Sequence, residues 1–205
     1  MKKDNVKIIG GGLFPVEIEL SDETPPPSQR DFNTIKKNKK QIEYLKTKIY
    51  ERHPYMKILV SACILGQNCK YNGKNNKNPL VITFLKDKQI IPICPEILVG
   101  MKTPRPCAEI VNGIVMDENG NNVHSEYTNA VALALSQIEN EDIDFAILQS
   151  RSPTCGVNQI YDGSFRGRLI SGMGLFAKAL CQKGYKIIDV ETLSNELAKT
   201  SSTFE

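Results

Sequence analysis

The chain has 205 residues, 40% hydrophobic and 24% charged, with 26 basic and 23 acidic side chains and a net charge of +3. That length gives one domain of ordinary size and a small appendage, with a core large enough to fold alone. No apolar stretch approaches the ~20 residues of a membrane span, and the first residues lack the apolar core of a secretory signal, so the expectation is a cytoplasmic protein with no membrane contact.

Six cysteines in such a chain argue against a disulfide framework, since the cytoplasm keeps thiols reduced. They read as buried apolar residues, metal ligands or nucleophiles. No CxxC pair occurs, which excludes the compact zinc-ribbon and thioredoxin spacings. Any metal site has to be assembled by tertiary folding.

Residues 1–55 read as an amino-terminal extension to a domain over 56–205. Apolar segments around Gly10-Gly11-Gly12 and Pro15 suit a hairpin or extended strand, and Pro25-Pro26-Pro27 reads as a linker. A basic helix is predicted next, with Ile35, Ile42, Leu45 and Ile49 near helical spacing. Residues 34–52 hold seven basic and two acidic side chains, a net of +5, so the rest of the chain carries −2. The main body is therefore not a basic nucleic-acid surface. His53-Pro54 ends the helix.

From Met56 onward strands and helices alternate. Strands are predicted over 57–62, 89–94, 143–149 and 186–190, and helices over 78–87, 125–139, 172–183 and 192–199. A hairpin spans 108–116, turning at Asn112-Gly113. The stretch before the 172–183 helix reads as a glycine-rich loop. This alternation predicts an α/β fold with a doubly wound, mostly parallel sheet and helices on both faces. Neither the dinucleotide fingerprint nor a Walker-type lysine motif is present.

Three cysteines stand just past predicted strands: Cys63, Cys94 and Cys155. The carboxyl ends of parallel strands form the ligand-binding edge of such a sheet, so thiols far apart in sequence can meet there. Three thiolates on one centre point to zinc or an iron–sulfur cluster with one position open for substrate. A nucleophilic cysteine would need a histidine or helix amino terminus to stabilise its thiolate, and the chain offers only His53 and His124. Cys69 could stand behind the ligands or replace one. Cys107 lies in a proline-rich loop, and Cys181 falls on the apolar face of a helix.

Glu96, two residues from Cys94, could shuttle protons at the site or serve as a first-turn acid of the next segment. Ser152 and Thr154, on either side of Pro153, could bond a substrate or their own backbone. Arg105 and Arg151 could hold an anionic group.

The ordered motifs Ser61-Ala-Cys-Ile-Leu-Gly66, Cys69-Lys-Tyr-Asn-Gly73, Cys94-Pro-Glu96, Thr103-Pro-Arg-Pro106, Ala108-Glu109, Ser150-Arg-Ser-Pro-Thr-Cys-Gly156 and Ile160-Tyr-Asp-Gly163 closely resemble the DUF523 family, whose characterised members include thiouracil desulfurases. The resemblance runs from about Met56 to about Val190. It implies a Rossmann-like domain holding a [4Fe-4S] cluster through three cysteines, here Cys63, Cys94 and Cys155. It further implies replacement of a pyrimidine's sulfur by water, releasing sulfide without net redox change, with Glu96 and Ser152 as catalytic residues. Tyr71 and Arg105, within matching motifs, are the expected substrate-binding side chains. Cys107 departs from the pattern where proline or a small residue is expected. A small thiopyrimidine is the expected partner. Two alternatives are thiolated tRNA, contacted through the 34–52 helix, and a non-catalytic metal-binding or redox-sensing protein.

Overall fold

The computed structural model describes residues 56–201. The glycine triplet, proline linker and basic helix expected over 1–55, and with them the proposed tRNA contact, lie outside the described residues. Strand β1 (Lys57–Ser61) starts the sheet and runs into a short 3-10 helix, Ala62–Leu65. Then follow α1 (Pro79–Phe84), β2 (Gln89–Ile93), α2 (Pro95–Leu98), β3 (Ala108–Val111), β4 (Ile114–Asp117), α3 (His124–Ile138) and β5 (Phe145–Leu148). The chain continues through β6 (Gln159–Tyr161), β7 (Leu169–Ser171), α4 (Leu175–Gln182), β8 (Ile187–Asp189) and α5 (Val190–Ser201).

The central sheet has the order β2-β1-β5-β8, with every neighbouring pair parallel. Buried on both faces, β1 and β5 read as continuous apolar runs rather than alternating ones. The strand period of two still sorts their side chains. Ile58, Val60, Phe145, Ile147 and Ile188 enter one core with Val81 of α1 and Val190 and Leu193 of α5. Leu59, Ala146, Leu148 and Ile187 enter the other, with Val131, Ala134, Leu135 and Ile138 of α3 and Phe176, Ala177 and Leu180 of α4. Helices thus cover both faces, as the alternation predicts. Pro92, which cannot donate to a ladder, is accommodated because β2 is an edge strand.

Asn78 caps α1 by accepting from the Val81 N–H at 3.1 Å, with Pro79 at the first helical position. The β3–β4 hairpin turns at Asn112 (φ 50°) and Gly113 (φ 84°), the paired positive φ of a two-residue I′ turn. The sequence reading contains neither the 3-10 helix nor α2, and two further elements differ from it. The glycine-rich stretch before α4 contains the antiparallel β6–β7 pair, whose three-residue strands are too short to show a period. Val190, expected to close the last strand, is the first residue of α5. Among the described residues no helix is long and apolar enough to cross a membrane.

Candidate active site at the carboxyl edge of the sheet

The chain leaves β1 toward β2 on one side and later enters β5 on the other, so the strand order reverses between β1 and β5. Such a reversal opens a crevice at the carboxyl edge. Cys63 sits there on the 3-10 helix after β1, Cys94 between β2 and α2, and Cys155 in the loop after β5. Gly66, at φ 97°, ends the 3-10 helix and donates to the Cys63 carbonyl at 3.2 Å. The chain then turns tightly, with the Cys69 N–H donating to the Gln67 carbonyl at 2.9 Å.

The turn brings Cys69 to the other thiols, within the same apolar cluster as Cys63 and Cys94. Hydrogen bonding with Cys63, opposed by a bond to Cys94 and joined by burial, pushes the Cys69 thiol up to about 11. The interaction with Cys69, burial and the Glu96 charge push Cys94 far above the ordinary thiol range. Burial, followed by the charge of Glu96, raises Cys155 well above it too, against a hydrogen bond with Ser61 that lowers it. Buried thiols this close keep their protons unless cations take their place, which is the condition for metal–thiolate chemistry.

Among the described residues no three His, Cys, Asp or Glu side chains are set to hold a single metal ion. Thiols at three strand ends are soft, all-sulfur donors, the chemistry that suits a polynuclear centre in which each thiolate binds a different metal. His124 lies elsewhere in its bonding: its Nδ1 accepts the Val115 N–H of β4 at 3.3 Å, tying it to the hairpin.

Glu96 combines both readings of the sequence. It is a first-turn acid of α2, and its buried carboxylate enters the thiol site. Oε2 accepts from Cys94 Sγ at 3.1 Å, while Oε1 accepts from Thr154 Oγ1 at 2.8 Å and lies 3.7 Å from Arg105 Nη2. Arg105 also donates from Nη1 and Nη2 to the Cys69 carbonyl, each at 3.4 Å, and its N–H donates to the Tyr71 carbonyl at 2.7 Å. One arginine therefore links the Cys69 loop to the carboxylate. Among the described residues, buried Arg105 Nε has no hydrogen-bond partner. Tyr127 of α3 sets its hydroxyl near Arg105 and Glu96. Burial and the Glu96 charge push its hydroxyl up to about 12, against Arg105.

The remaining candidates divide. Ser152 Oγ accepts the N–H groups of Thr154 and Cys155, both at 3.1 Å, so it forms the turn that carries Cys155. Tyr71 is 43% exposed at the mouth of the Cys69 loop. Arg151 pairs with Glu191 at 2.7 Å on the surface, away from an anion-holding role. Cys107 lies in the loop before β3, its thiol raised by burial and then by Glu118 and Glu109. Cys181 packs against the α3–α4 core, as its place on the helix predicts. The sequence reading missed two site groups: Thr154 as the partner of Glu96, and Tyr127. A polar-tipped aromatic preceding the buried Ala130, Ala134 and Ile138 of α3 was the available signal for Tyr127.

The 2-thiouracil desulfurase family model matches residues 58–192, from β1 into α5. The chain belongs to the 2-thiouracil desulfurase family. YbbK of Bacillus subtilis (strain 168), an uncharacterized protein, is 33% identical over 150 residues, covering 68% of this chain and 99% of YbbK. The solved structure of a [4Fe-4S]-dependent thiouracil desulfidase, TudS, of DUF523 type, superposes with a TM-score of 0.63 at 34% identity, covering 72% of this chain and 99% of that one. The segment matched by the 2-thiouracil desulfurase family contains every thiol, Glu96, Arg105, Tyr127 and Thr154, and none of residues 1–55.

Proposed function

We propose that this protein is an iron–sulfur-dependent desulfurase that removes the sulfur of a thiolated pyrimidine, of thiouracil or thio-UMP type, as sulfide. The observation that carries this reading is a strand-end thiol set against a buried carboxylate, with Glu96 Oε2 3.1 Å from Cys94 Sγ and the same charge felt by Cys69 and Cys155. Family membership and the likeness to TudS, a [4Fe-4S]-dependent thiouracil desulfidase, support it. Cys63, Cys94 and Cys155 are the proposed ligands of a [4Fe-4S] cluster. Bound there, the cluster supplies a thiophilic Lewis acid that polarises the carbon–sulfur bond.

The chain's own groups handle water and protons. In the thiol form Cys94 occupies Glu96 Oε2 as a donor. As a ligand Cys94 is a thiolate and donates nothing, which leaves Oε2 free to accept a proton. Glu96 then takes a proton from the water that attacks the ring carbon. The carbon–oxygen bond forms as the C=S π pair moves to sulfur. The remaining carbon–sulfur bond then breaks with its pair on sulfur while the new hydroxyl loses its proton and becomes the carbonyl, so that both protons of the water end on the sulfide, one of them returned by Glu96. No electron is transferred. Ser152, whose oxygen already accepts two N–H groups, has its own O–H left to orient the substrate. Tyr71 and Arg105 are the proposed substrate-contacting side chains, Tyr71 on the Cys69 loop and Arg105 on the separate loop that fastens it.

The test is anaerobic reconstitution with iron and sulfide, followed by sulfide-release assays on 2-thiouracil, 4-thiouracil and 4-thio-UMP. Sulfide release from at least one, dependent on bound iron, is the expected result. A reconstituted protein that releases none from any of them overturns the reading.

A further inference from the structure

Glu96 has two carboxylate oxygens in different surroundings, and the difference is built by a residue with no assigned role. Thr154 is fully buried, at 0% exposure, and its Oγ1 donates to Glu96 Oε1 at 2.8 Å. The direction of that hydroxyl is set by the backbone beneath it. The Thr154 carbonyl accepts from Phe176 N at 2.9 Å and from Ala177 N at 3.2 Å, and the Pro153 carbonyl accepts from Leu175 N at 2.8 Å. The first N–H groups of α4, which have no partners within their own helix, thus grip residues 153 and 154. Gly174 permits this contact, since a Cβ there would lie 2.5 Å from the Thr154 carbonyl. Ser152 Oγ holds the Thr154 N–H from the other side.

We propose that Thr154 is the positioning residue of Glu96. It fixes Oε1 as the anchored oxygen and turns Oε2 toward the thiols as the working one. This inference rests on the desulfurase reading above. Arg105 Nη2, 3.7 Å from the same Oε1, adds charge to the anchored side without a short hydrogen bond. Without Thr154 the carboxylate can rotate toward Arg105 and withdraw Oε2 from the site. A carboxylate that must receive and return a proton within one turnover depends on such a fixed orientation. A buried threonine serving packing alone would need only some acceptor, and a backbone carbonyl would do. Here the acceptor is the carboxylate that takes the Cys94 hydrogen bond.

The test compares Thr154→Val, which keeps the shape and loses the hydroxyl, with Thr154→Ser, which keeps the hydroxyl. Both are made in the wild type and in a Glu96→Gln background. Thr154→Val is expected to retain its iron and its KM and to lose kcat by roughly 10- to 100-fold, the factor for a hydrogen bond to a charged group. Thr154→Ser should recover most of that loss, and in the Glu96→Gln background Thr154→Val should have little further effect, because the two residues act as one unit. Equal losses in both backgrounds, or a serine variant no better than valine, would overturn the proposal. Should the wild type release no sulfide from any thiopyrimidine, the desulfurase reading fails by itself. Wild type, Thr154→Val, Glu96→Gln and the double variant are then compared by thermal unfolding of the metal-free chain: non-additive Tm changes uphold the Thr154–Glu96 link, and additive ones overturn it.

Discussion

Ser152 Oγ accepts the backbone N–H of Cys155 at 3.1 Å, so the hydroxyl expected to meet the substrate also shapes the turn that carries a proposed ligand. With the matching bond from Thr154 N, both acceptor sites of the oxygen are filled by the main chain. Ser152 can act on a substrate only as a donor. Ser152→Ala should therefore have two effects: a loss of about 1 kcal/mol in stability from the released turn, read by urea unfolding, and a fall in kcat. Normal kcat in a destabilised Ser152→Ala protein would confine Ser152 to the turn.

The cysteines separate by place. Cys63→Ser, Cys94→Ser and Cys155→Ser each remove a thiol from the strand-end set and should abolish iron binding, read as loss of the ~400 nm absorbance typical of thiolate-bound cubane clusters. Cys181→Ala, in the α3–α4 core, should keep the full absorbance. Cys69→Ser is the informative case. Cys69 touches the set without belonging to the proposed ligands, so this variant should also bind iron. Iron lost from Cys69→Ser but kept in one of the other three would redraw the ligand set.

The strand-end position of Cys63, Cys94 and Cys155 was legible because it follows from topology: a parallel sheet puts every strand's carboxyl end on one edge. The same apolar runs gave the four central strands, and Asn112-Gly113 gave the hairpin. Thr154 could not be matched to Glu96 from sequence, since that bond joins groups 58 residues apart through the docking of α4. Cys69 remained ambiguous for a related reason. Only the tight turn after Gly66 decides that its sulfur faces inward. The β6–β7 pair escaped because strands of three residues show too little alternation to be told from a loop.

Gly174 tests the docking that places Thr154 and Cys155. It opens α4 in an extended conformation that any residue can adopt (φ −70°), so the constraint is space rather than backbone freedom. A methyl group there would stand 2.5 Å from Thr154 backbone atoms and 2.8 Å from the Pro153 carbonyl. Main-chain atoms cannot swing aside, so α4 or the 153–155 loop has to move. Gly174→Ala should cost roughly 1–3 kcal/mol of stability, as overpacking does, and lower the iron bound per chain. Unchanged melting together with full iron content would show that the loop is looser than the bonds from Leu175 and Phe176 imply.

Tyr127 gives a pH dependence whose sign is fixed by its surroundings. Its hydroxyl lies among Glu96, Arg105 and Cys107, and burial with the Glu96 charge outweighs Arg105, raising it from 10.0 to about 12. Below pH 10 the tyrosine is neutral in folded and unfolded chains alike, so it adds no pH dependence. Between 10 and 12 the unfolded chain gives up the proton while the folded one keeps it, and stability falls as pH rises. At pH 11 this amounts to about 1 kcal/mol against the value at pH 9. Tyr127→Phe has no proton to lose, so its stability should decline less over the same range by about that amount, whatever the other tyrosines and lysines contribute to both proteins. The comparison is made by urea unfolding of wild type and variant at pH 9 and pH 11. Parallel declines would mean that Tyr127 ionises as easily in the folded chain as in the unfolded one, and that its hydroxyl beside Glu96 is open to water.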